Sequence, residues 1–186
     1  MTMPAVLIVP GLRDHVPQHW QTLLAAKLER VRTVPPLEHD KLSCAARVAA
    51  IEHALAQIDG PVVLVAHSAG AIMVAHWAAQ SRRAIHAALL AAPADLETAM
   101  PEGYPPLEAL RSNGWLPIPR APLPFASIVA ASSNDPLARY ERVVQMSHDW
   151  GSRLVDVGAV GHLNPAAGFG EWPRGEELVR ELLRSD

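Results

Sequence analysis

The sequence predicts an α/β protein built on a doubly wound, mostly parallel sheet of about six strands with helices on both faces. Short apolar runs without polar alternation recur along the chain, as buried parallel strands require. Between these runs lie segments whose apolar residues recur at helical spacing, so strands alternate with helices over the whole length. We expect a single domain that covers residues 1–186.

Six segments have the features of strands in this sheet. The solid apolar runs around Val6 and Val63 favour central positions, because both faces of such strands must be covered. The short, charged segment around Arg32 is typical of an edge strand and stops at a pair of prolines. In chain order, the predicted strands are 5–9, 31–34, 62–65, 86–92, 125–131 and 153–157.

The segments between the strands predict helices. Pro17 suits the first position of a helix, since its fixed φ fits there and its missing N–H has no helical partner to lose. Ser43 suits the N-cap of another helix, and Gly60 its terminator. The predicted helices are 17–30, 43–59, 71–79, a helix that opens after Pro136, and 173–184.

Composition excludes several classes of protein. Apolar residues make up 49% of the chain, and no apolar run approaches the roughly 18 residues of a membrane span. The net charge of −3 favours neither nucleic acid nor a membrane as a partner. The single cysteine, Cys44, and an N-terminus without a basic region before its apolar stretch predict a cytoplasmic protein.

Ser68 lies where the apolar run 62–65 passes directly into an apolar helix. A serine flanked by small residues at such a corner matches the nucleophile elbow G-x-S-x-G, in which the positions two before and two after the serine lie close together. Gly70 fills the second of these positions, and Ala66 replaces glycine at the first. The alternative role for this serine is an ordinary helix N-cap.

Polar residues follow other predicted strands at the carboxyl edge of the sheet, where open α/β sheets place their active sites. The fifth strand is followed by Asp135 and the sixth by His162. With Ser68 they give the order Ser, Asp, His, which is typical of α/β-hydrolases. His162 would act as the base and Asp135 would orient it. The N–H groups of Leu12 and Ala69 would hold the oxyanion.

Two of these interpretations have alternatives. Asp135 precedes Pro136 and would also make a purely structural helix cap. Asp95, after the fourth strand, is the alternative acid. His15 and His19 lie four residues apart, but no third ligand follows at the spacing of a zinc site, so we expect no metal and no cofactor.

The proline-rich residues 94–124 predict an irregular segment, and long segments of this kind often form lids or pocket walls. Tyr104 and Trp115 are candidates for such a wall. Four large apolar residues are candidates for an acyl pocket, with a core position as the alternative for each: Trp20, Trp115, Leu137 and Trp172.

With these residues named, the chain resembles the small α/β-hydrolases related to retinoblastoma-binding protein nine and the bacterial YdeN proteins. The resemblance covers nearly the whole chain and rests on the order and spacing of short motifs: Pro10-Gly11, His19-Trp20-Gln21, His67-Ser68 with Gly70, Asn134-Asp135-Pro136, Trp150-Gly151-Ser152, Gly161-His162 with Asn164, and Trp172-Pro173 with Gly175. It implies an α/β-hydrolase fold with little or no cap domain. It also implies that the family's catalytic serine, aspartate and histidine correspond to Ser68, Asp135 and His162.

We therefore expect an esterase-like serine hydrolase that forms an acyl-enzyme on Ser68 and acts on a small-molecule ester or acyl substrate. Carboxylic esters are the first expectation, and thioesters or small amides the next. A binding or scaffold protein on the same fold is one alternative, and acyl transfer or peptide hydrolysis by the same residues is another. Binding of the retinoblastoma protein is not expected, because Ala46 stands where the L-x-C-x-E motif has its glutamate.

Overall fold

The computed structural model describes residues 3–184 and contains one six-stranded sheet. The strands are β1 (Ala5–Val9), β2 (Val31–Thr33), β3 (Val62–His67), β4 (Ala87–Ala91), β5 (Ala126–Ala131) and β6 (Arg153–Asp156). They lie in the order β2-β1-β3-β4-β5-β6, and every neighbouring pair is parallel. The predicted fold class is confirmed. The single domain remains a prediction, and the first two and last two residues of its range lie outside the described residues.

Burial along each strand follows its place in the sheet. All residues of β1, β3 and β4 are buried, as their unbroken apolar runs predict. The edge strands β2 and β6 keep exposed residues. Because successive side chains of a strand point to opposite faces, β1 places Leu7 and Val9 in one hydrophobic core and Val6 and Ile8 in the other.

Helices cover both faces of the sheet. They are α1 (Trp20–Ala25), α2 (Cys44–Ala56), α3 (Ala69–Ala78), α4 (Leu107–Ser112), α5 (Tyr140–Asp149) and α6 (Pro173–Arg184), with a 3₁₀ turn at Pro165–Ala167. Side chains of α2, α3 and α5 pack in the core that contains Leu7, and those of α1 and α6 pack in the core that contains Val6. Within residues 3–184, no helix is long and apolar enough to cross a membrane.

The first helix is shorter than the sequence predicts. It begins at Trp20 rather than at Pro17, because His19 is its N-cap and the His19 Nδ1 accepts the N–H of Gln21 at 3.2 Å. It ends at Ala25 instead of continuing to residue 30. A histidine N-cap is not among the residues usually preferred there, so the sequence offers little signal for this boundary.

Three further helices depart from the prediction. The second helix, α2, ends at Ala56 with Gln57 as its C-cap, so Gly60 is not its terminator. The helix expected directly after Pro136 begins at Tyr140, because the loop that follows β5 continues past the proline. Residues 94–124, for which no helix is predicted, contain α4, and Leu110 of this helix is fully buried in the core. A single buried residue per short helix is too weak a pattern to reveal it in the sequence.

The order of the strands places a crevice at the carboxyl ends of β1 and β3. Chain connections reverse direction at this point, since β2 flanks β1 on one side and β3 flanks it on the other. The helix after β1 and the helix after β3 accordingly pack on opposite faces of the sheet. In open α/β sheets, ligands bind in the crevice at such a switch point.

Candidate active site

Ser68 occupies the sharp turn between β3 and α3. Its backbone has φ 59° and ψ −129°, a conformation that is strained for any residue with a Cβ atom. Two hydrogen bonds hold it there: the Ser68 N–H donates to the carbonyl of Ala91 at 3.0 Å, and the Ser68 carbonyl accepts the N–H of Ala71 at 3.0 Å. The serine is half-buried and lines a cavity.

The small residues around Ser68 are needed because α3 begins directly against the end of β1. A Cβ atom on Gly70 would lie 2.4 Å from the carbonyl oxygen of Val9 and 2.8 Å from that of Pro10. Both neighbours are backbone atoms, so no side-chain movement relieves the contact. Ala66, at the first small position, is fully buried between β1 and β4 and its methyl group is accommodated.

Three side chains from distant parts of the chain meet at the carboxyl edge of the sheet. His162 Nε2 lies 2.8 Å from Ser68 Oγ, and His162 Nδ1 lies 2.8 Å from Asp135 Oδ2 and 2.9 Å from Asp135 Oδ1. Because a carboxylate only accepts hydrogen bonds, Nδ1 carries the proton and Nε2 is left with a lone pair towards the serine hydroxyl. This arrangement can remove a proton from Ser68.

Asp135 orients His162 and also caps its own loop. Its Oδ1 accepts the N–H of Leu137 at 2.8 Å within that loop. The helix-cap alternative is wrong, because α5 begins at Tyr140 with Arg139 as its N-cap. The side chain of Asp135 is 1% exposed. Asp95, the alternative acid, accepts hydrogen bonds from Arg142 Nε at 2.9 Å and Nη2 at 3.2 Å, and no hydrogen bond joins it to His162 within residues 3–184.

Asn134 ties the loop that carries Asp135 to the loop that carries His162. Its Oδ1 accepts the N–H of Gly161 at 2.6 Å and the hydroxyl of Ser132 at 3.1 Å. These hydrogen bonds fix the position of the two loops relative to each other. The resemblance to known hydrolases includes this asparagine, but reasoning from the residues alone does not find its role.

The two predicted oxyanion donors, Leu12 and Ala69, both line the cavity that contains Ser68. Ala69 is the first residue of α3, so its N–H is one of the donors that a helix leaves free. Leu12 follows Gly11, where an added Cβ would lie 3.6 Å from Ser68 Oγ. Among the described residues, no acceptor pairs with the N–H of Leu12 or of Ala69.

A buried arginine holds the loop that contains Leu12. Arg47 of α2 is 5% exposed, and it forms an ion pair with the carboxylate of Asp14. Its Nη2 donates to the carbonyl of Leu12 at 3.3 Å and its Nε donates to the carbonyl of Lys41 at 2.8 Å. Sequence reasoning misses Arg47, because an arginine in an amphipathic helix usually faces solvent.

Gln21 links the ends of the two strands that carry the site. Its Nε2 donates to the carbonyl of Val9 at the end of β1, at 3.2 Å, and to the carbonyl of Val65 in β3, at 3.0 Å. The side chain is buried. The relative position of the loop after β1 and the turn at Ser68 thus depends on this amide.

Two neutral histidines lie beside His162. His67 Nε2 donates to the carbonyl of His162 at 2.7 Å, and the rings of His67 and His19 have centroids 4.6 Å apart. Burial, with a smaller contribution from the charge on His162, lowers the pKa of His19 to about 4 and holds the pKa of His67 well below its usual value. Neither histidine therefore adds a positive charge beside His162 at neutral pH.

A cavity of about 250 Å³ opens beside Ser68 and His162. This volume lies just below the usual range for drug-sized ligands, so it suits a small ligand. The walls are formed by the loop after β1 and the segment after β4, and their apolar members include Leu12, Val16, Leu96, Met100 and Tyr104. Tyr104 thus lines the cavity, as its place in the proline-rich segment predicts.

The four side chains predicted for the acyl pocket do not line this cavity, and we correct that assignment. Trp20 packs edge-on against Trp172 with ring centroids 4.9 Å apart, in the core beneath α1 and α6. Trp115 is fully buried and donates its Nε1–H to the carbonyl of Leu42 at 2.7 Å. Leu137 is buried in the same core as Trp115. These four large side chains complete the two cores instead.

Comparisons with known proteins agree with the fold and with the resemblance seen in the sequence. A family model described as serine hydrolase matches residues 6–181. A YdeN-like hydrolase from Pectobacterium atrosepticum is 29% identical, with 97% of this chain and 91% of that chain covered and a TM-score of 0.81. No curated protein sequence matches.

Two more distant solved structures share the fold. The ydeN gene product of B. subtilis is 16% identical, with 98% of this chain and 100% of that chain covered and a TM-score of 0.74. Est1E from Butyrivibrio proteoclasticus is 14% identical, with 99% and 90% covered and a TM-score of 0.72. Each of these two likenesses concerns the fold alone.

Proposed function

Because the chain belongs to the serine hydrolase family, we propose that it hydrolyses carboxylic esters through an acyl-enzyme on Ser68. The observation that carries this proposal is the pair of 2.8 Å separations that link Ser68 Oγ to His162 Nε2 and His162 Nδ1 to Asp135 Oδ2. A serine hydroxyl is a poor nucleophile at neutral pH unless a base lies within hydrogen-bonding distance. His162 is that base, and Asp135 orients it.

Acylation begins when Ser68 Oγ attacks the ester carbonyl carbon and His162 Nε2 takes the hydroxyl proton. The carbonyl π electrons move onto oxygen, which gives a tetrahedral oxyanion, and the carboxylate of Asp135 stabilises the imidazolium. When the carbonyl re-forms, the bond to the alcohol oxygen breaks. His162 gives its proton to that oxygen, and the alcohol leaves.

Deacylation repeats these steps with water as the nucleophile. His162 removes a proton from water as its oxygen attacks the acyl carbon, and then returns a proton to Ser68 Oγ when the acyl–serine bond breaks. The products are a carboxylic acid and the regenerated enzyme. The overall reaction consumes one water and needs no cofactor.

The N–H groups of Leu12 and Ala69 stabilise the oxyanion in both halves of the reaction. Donors that are already in place when the charge develops contribute a large share of the rate of such enzymes, and the loss of one typically costs about 10²–10³ in rate. Arg47 acts through the loop rather than on the substrate, because it holds the carbonyl of Leu12 and so fixes the direction of the N–H groups in that turn.

The strained backbone of Ser68 argues against a scaffold that has lost turnover. Strained residues persist where the surrounding structure holds them, and they concentrate at active sites. A binding protein would gain nothing from a serine at φ 59°, where glycine costs less. The strained turn places the Ser68 hydroxyl within hydrogen-bonding distance of His162, which a nucleophile needs.

Turnover of a panel of 4-nitrophenyl esters by the wild type and by Ser68→Ala tests the proposal. We expect kcat to fall by at least about 10³ in Ser68→Ala, because removal of a member of such a triad typically costs more than this. Equal rates in the two proteins would overturn the proposal. Thioesters and aminoacyl amides in the same panel rank the leaving groups. Faster transfer of the acyl group to an added alcohol or amine than to water would indicate a transferase.

We also propose that the protein acts in the cytoplasm on small-molecule substrates. The single cysteine, Cys44, is buried and free, which suits a reducing compartment. No interaction with the retinoblastoma protein is proposed, since the segment that resembles its binding motif has Ala46 in place of glutamate. Cell fractionation with detection of the protein tests the compartment.

A further inference from the structure

The wall of the cavity carries one positive charge that no neighbour neutralises. Among the residues that line it, the ionised side chains are Arg13 and Asp14. Asp14 is paired with the buried Arg47 and so presents little net charge to the cavity. Arg13 is exposed at the rim, and no ion pair joins it to a carboxylate within residues 3–184. The cavity is therefore apolar in most of its wall and positive at one point.

The guanidinium of Arg13 contacts the opposite wall at the mouth of the cavity. Its Cζ lies 5.0 Å from the centre of the Tyr104 ring, in a cation–π contact. Tyr104 belongs to the segment after β4, whereas Arg13 belongs to the loop after β1, so the contact joins the two walls. A cation–π contact uses the charge of the guanidinium and does not consume its N–H donors, which stay available to an anion.

The direction of the acyl group follows from the proposed reaction. The leaving group must face His162, which protonates it, and the oxyanion must face the N–H groups of Leu12 and Ala69. The acyl chain then extends towards the walls that do not carry His162. Arg13 follows Leu12 directly in the loop that forms one of these walls.

We propose that Arg13 binds a carboxylate at the far end of the acyl group, so that the preferred substrates are half-esters of dicarboxylic acids. This inference rests on the proposed esterase function and names its substrate class. An apolar wall suits the methylene groups between the two carbonyl carbons, and the edge of a guanidinium matches a carboxylate with two parallel hydrogen bonds.

A pair of matched esters tests the inference. The probes are 4-nitrophenyl hydrogen adipate, which ends in a carboxylate, and 4-nitrophenyl 6-methylheptanoate, in which an isopropyl group replaces it. We expect the wild type to favour the adipate by about tenfold in kcat/KM, a modest factor because the site is exposed and screened by solvent. The preference should weaken as salt is added.

Three variants test whether Arg13 causes the preference for the adipate ester. The ratio of the two kcat/KM values should fall to about one in Arg13→Gln and keep an intermediate value in Arg13→Lys, which retains the charge but not the planar fork. Glu102→Gln is the matched control, since Glu102 is an exposed charge beside the same mouth that does not line the cavity. Its ratio should equal or exceed that of the wild type.

Two results would overturn the inference: equal kcat/KM for both esters in the wild type, or a preference for the adipate that survives in Arg13→Gln. Thermal melting of each variant shows that it is folded. Failure of the esterase proposal is distinguishable, because then neither ester is hydrolysed faster by the wild type than by Ser68→Ala.

Discussion

At the scale of single residues, the site depends on which acid faces the histidine. Asp135 and Asp95 both follow strands of the sheet, and both are buried. Asp135 lies against His162, while Asp95 is bound by the guanidinium of Arg142. The two carboxylates therefore have different partners. Asp135 binds the imidazole of His162, and Asp95 forms an ion pair that joins α5 to the loop after β4.

Replacing each acid by its amide separates these roles. We expect Asp135→Asn to lower kcat by about 10²–10⁴, since an amide favours the wrong tautomer of His162. Asp95→Asn should leave kcat within a few-fold and lower the free energy of unfolding by about 1–3 kcal/mol, because Arg142 loses its partner. Steady-state kinetics and denaturant titration measure the two effects. A large loss of kcat in Asp95→Asn with an active Asp135→Asn would reverse the assignment.

Gly70 is the residue on which the packing at the elbow depends most. We expect Gly70→Ala to destabilise the protein by about 1–3 kcal/mol or more and to reduce activity, because the new methyl group meets backbone atoms at the end of β1. Gly170→Ala is the control, since its Cβ would have ordinary contacts at 3.7 Å. Urea unfolding of both variants measures the difference, and equal stabilities would contradict this account of the elbow.

At the scale of elements, the loop after β1 is held from outside the sheet. Arg47 of α2 donates a hydrogen bond to the carbonyl of Leu12 in this loop and forms an ion pair with Asp14. Gln21 of α1 reaches the last residue of β1, Val9. Two helices on opposite faces of the sheet thus hold the segment that contains Leu12, the proposed oxyanion donor.

Loss of Arg47 should affect the rate more than the binding of substrate. We expect Arg47→Met to lower kcat by roughly tenfold to a hundredfold with little change in KM, because a misdirected Leu12 N–H weakens stabilisation of the transition state. Arg47→Lys should recover part of the rate. A merely structural role would instead lower the melting temperature and leave kcat of the folded fraction unchanged, so both are measured.

The fold was predictable from the sequence, whereas of the cavity wall only Tyr104 was. Unbroken apolar runs such as the one around Val63 can be satisfied only in a covered parallel sheet, and polar residues after strand ends converge because those ends share an edge. The shape of the cavity depends on how residues 94–124 fold around Tyr104. Nothing in local periodicity tells whether Trp115 in that segment faces the serine or the core, since both environments favour a large apolar ring.

The polar side chains that hold the loops of the site could not be predicted from the sequence either. Arg47 lies in an amphipathic helix, where an arginine ordinarily faces solvent, and only the tertiary path of the loop after β1 gives it buried partners. His67 and His19 belong to motifs that carry the family resemblance, but those motifs give no role to either side chain. Their roles follow from distances that the fold sets.

At the scale of the whole molecule, two buried histidines that line the cavity link folding to pH. His19 and His67 are buried and neutral in the folded protein. In the unfolded chain each has its ordinary pKa of 6.5. Between that value and the lower folded pKa, the unfolded state binds more protons, so the folded state loses stability as pH falls.

We expect the free energy of unfolding to be highest above about pH 6.5 and to decrease steadily as the pH falls towards 4. His19→Asn, which keeps an acceptor for the helix cap, should show a smaller decrease over this range because one buried imidazole is gone. Urea titrations at a series of pH values measure both curves. Parallel curves for the two proteins would show that His19 does not contribute to the dependence.

The most direct test of the central claim is the site and rate of covalent labelling by a fluorophosphonate, followed by peptide mass spectrometry. We predict a single adduct on Ser68 in the wild type, and a rate at least about tenfold lower in His162→Ala, because the hydroxyl then has no base. An adduct on another residue, no adduct at all, or an equal rate in His162→Ala would contradict the claim.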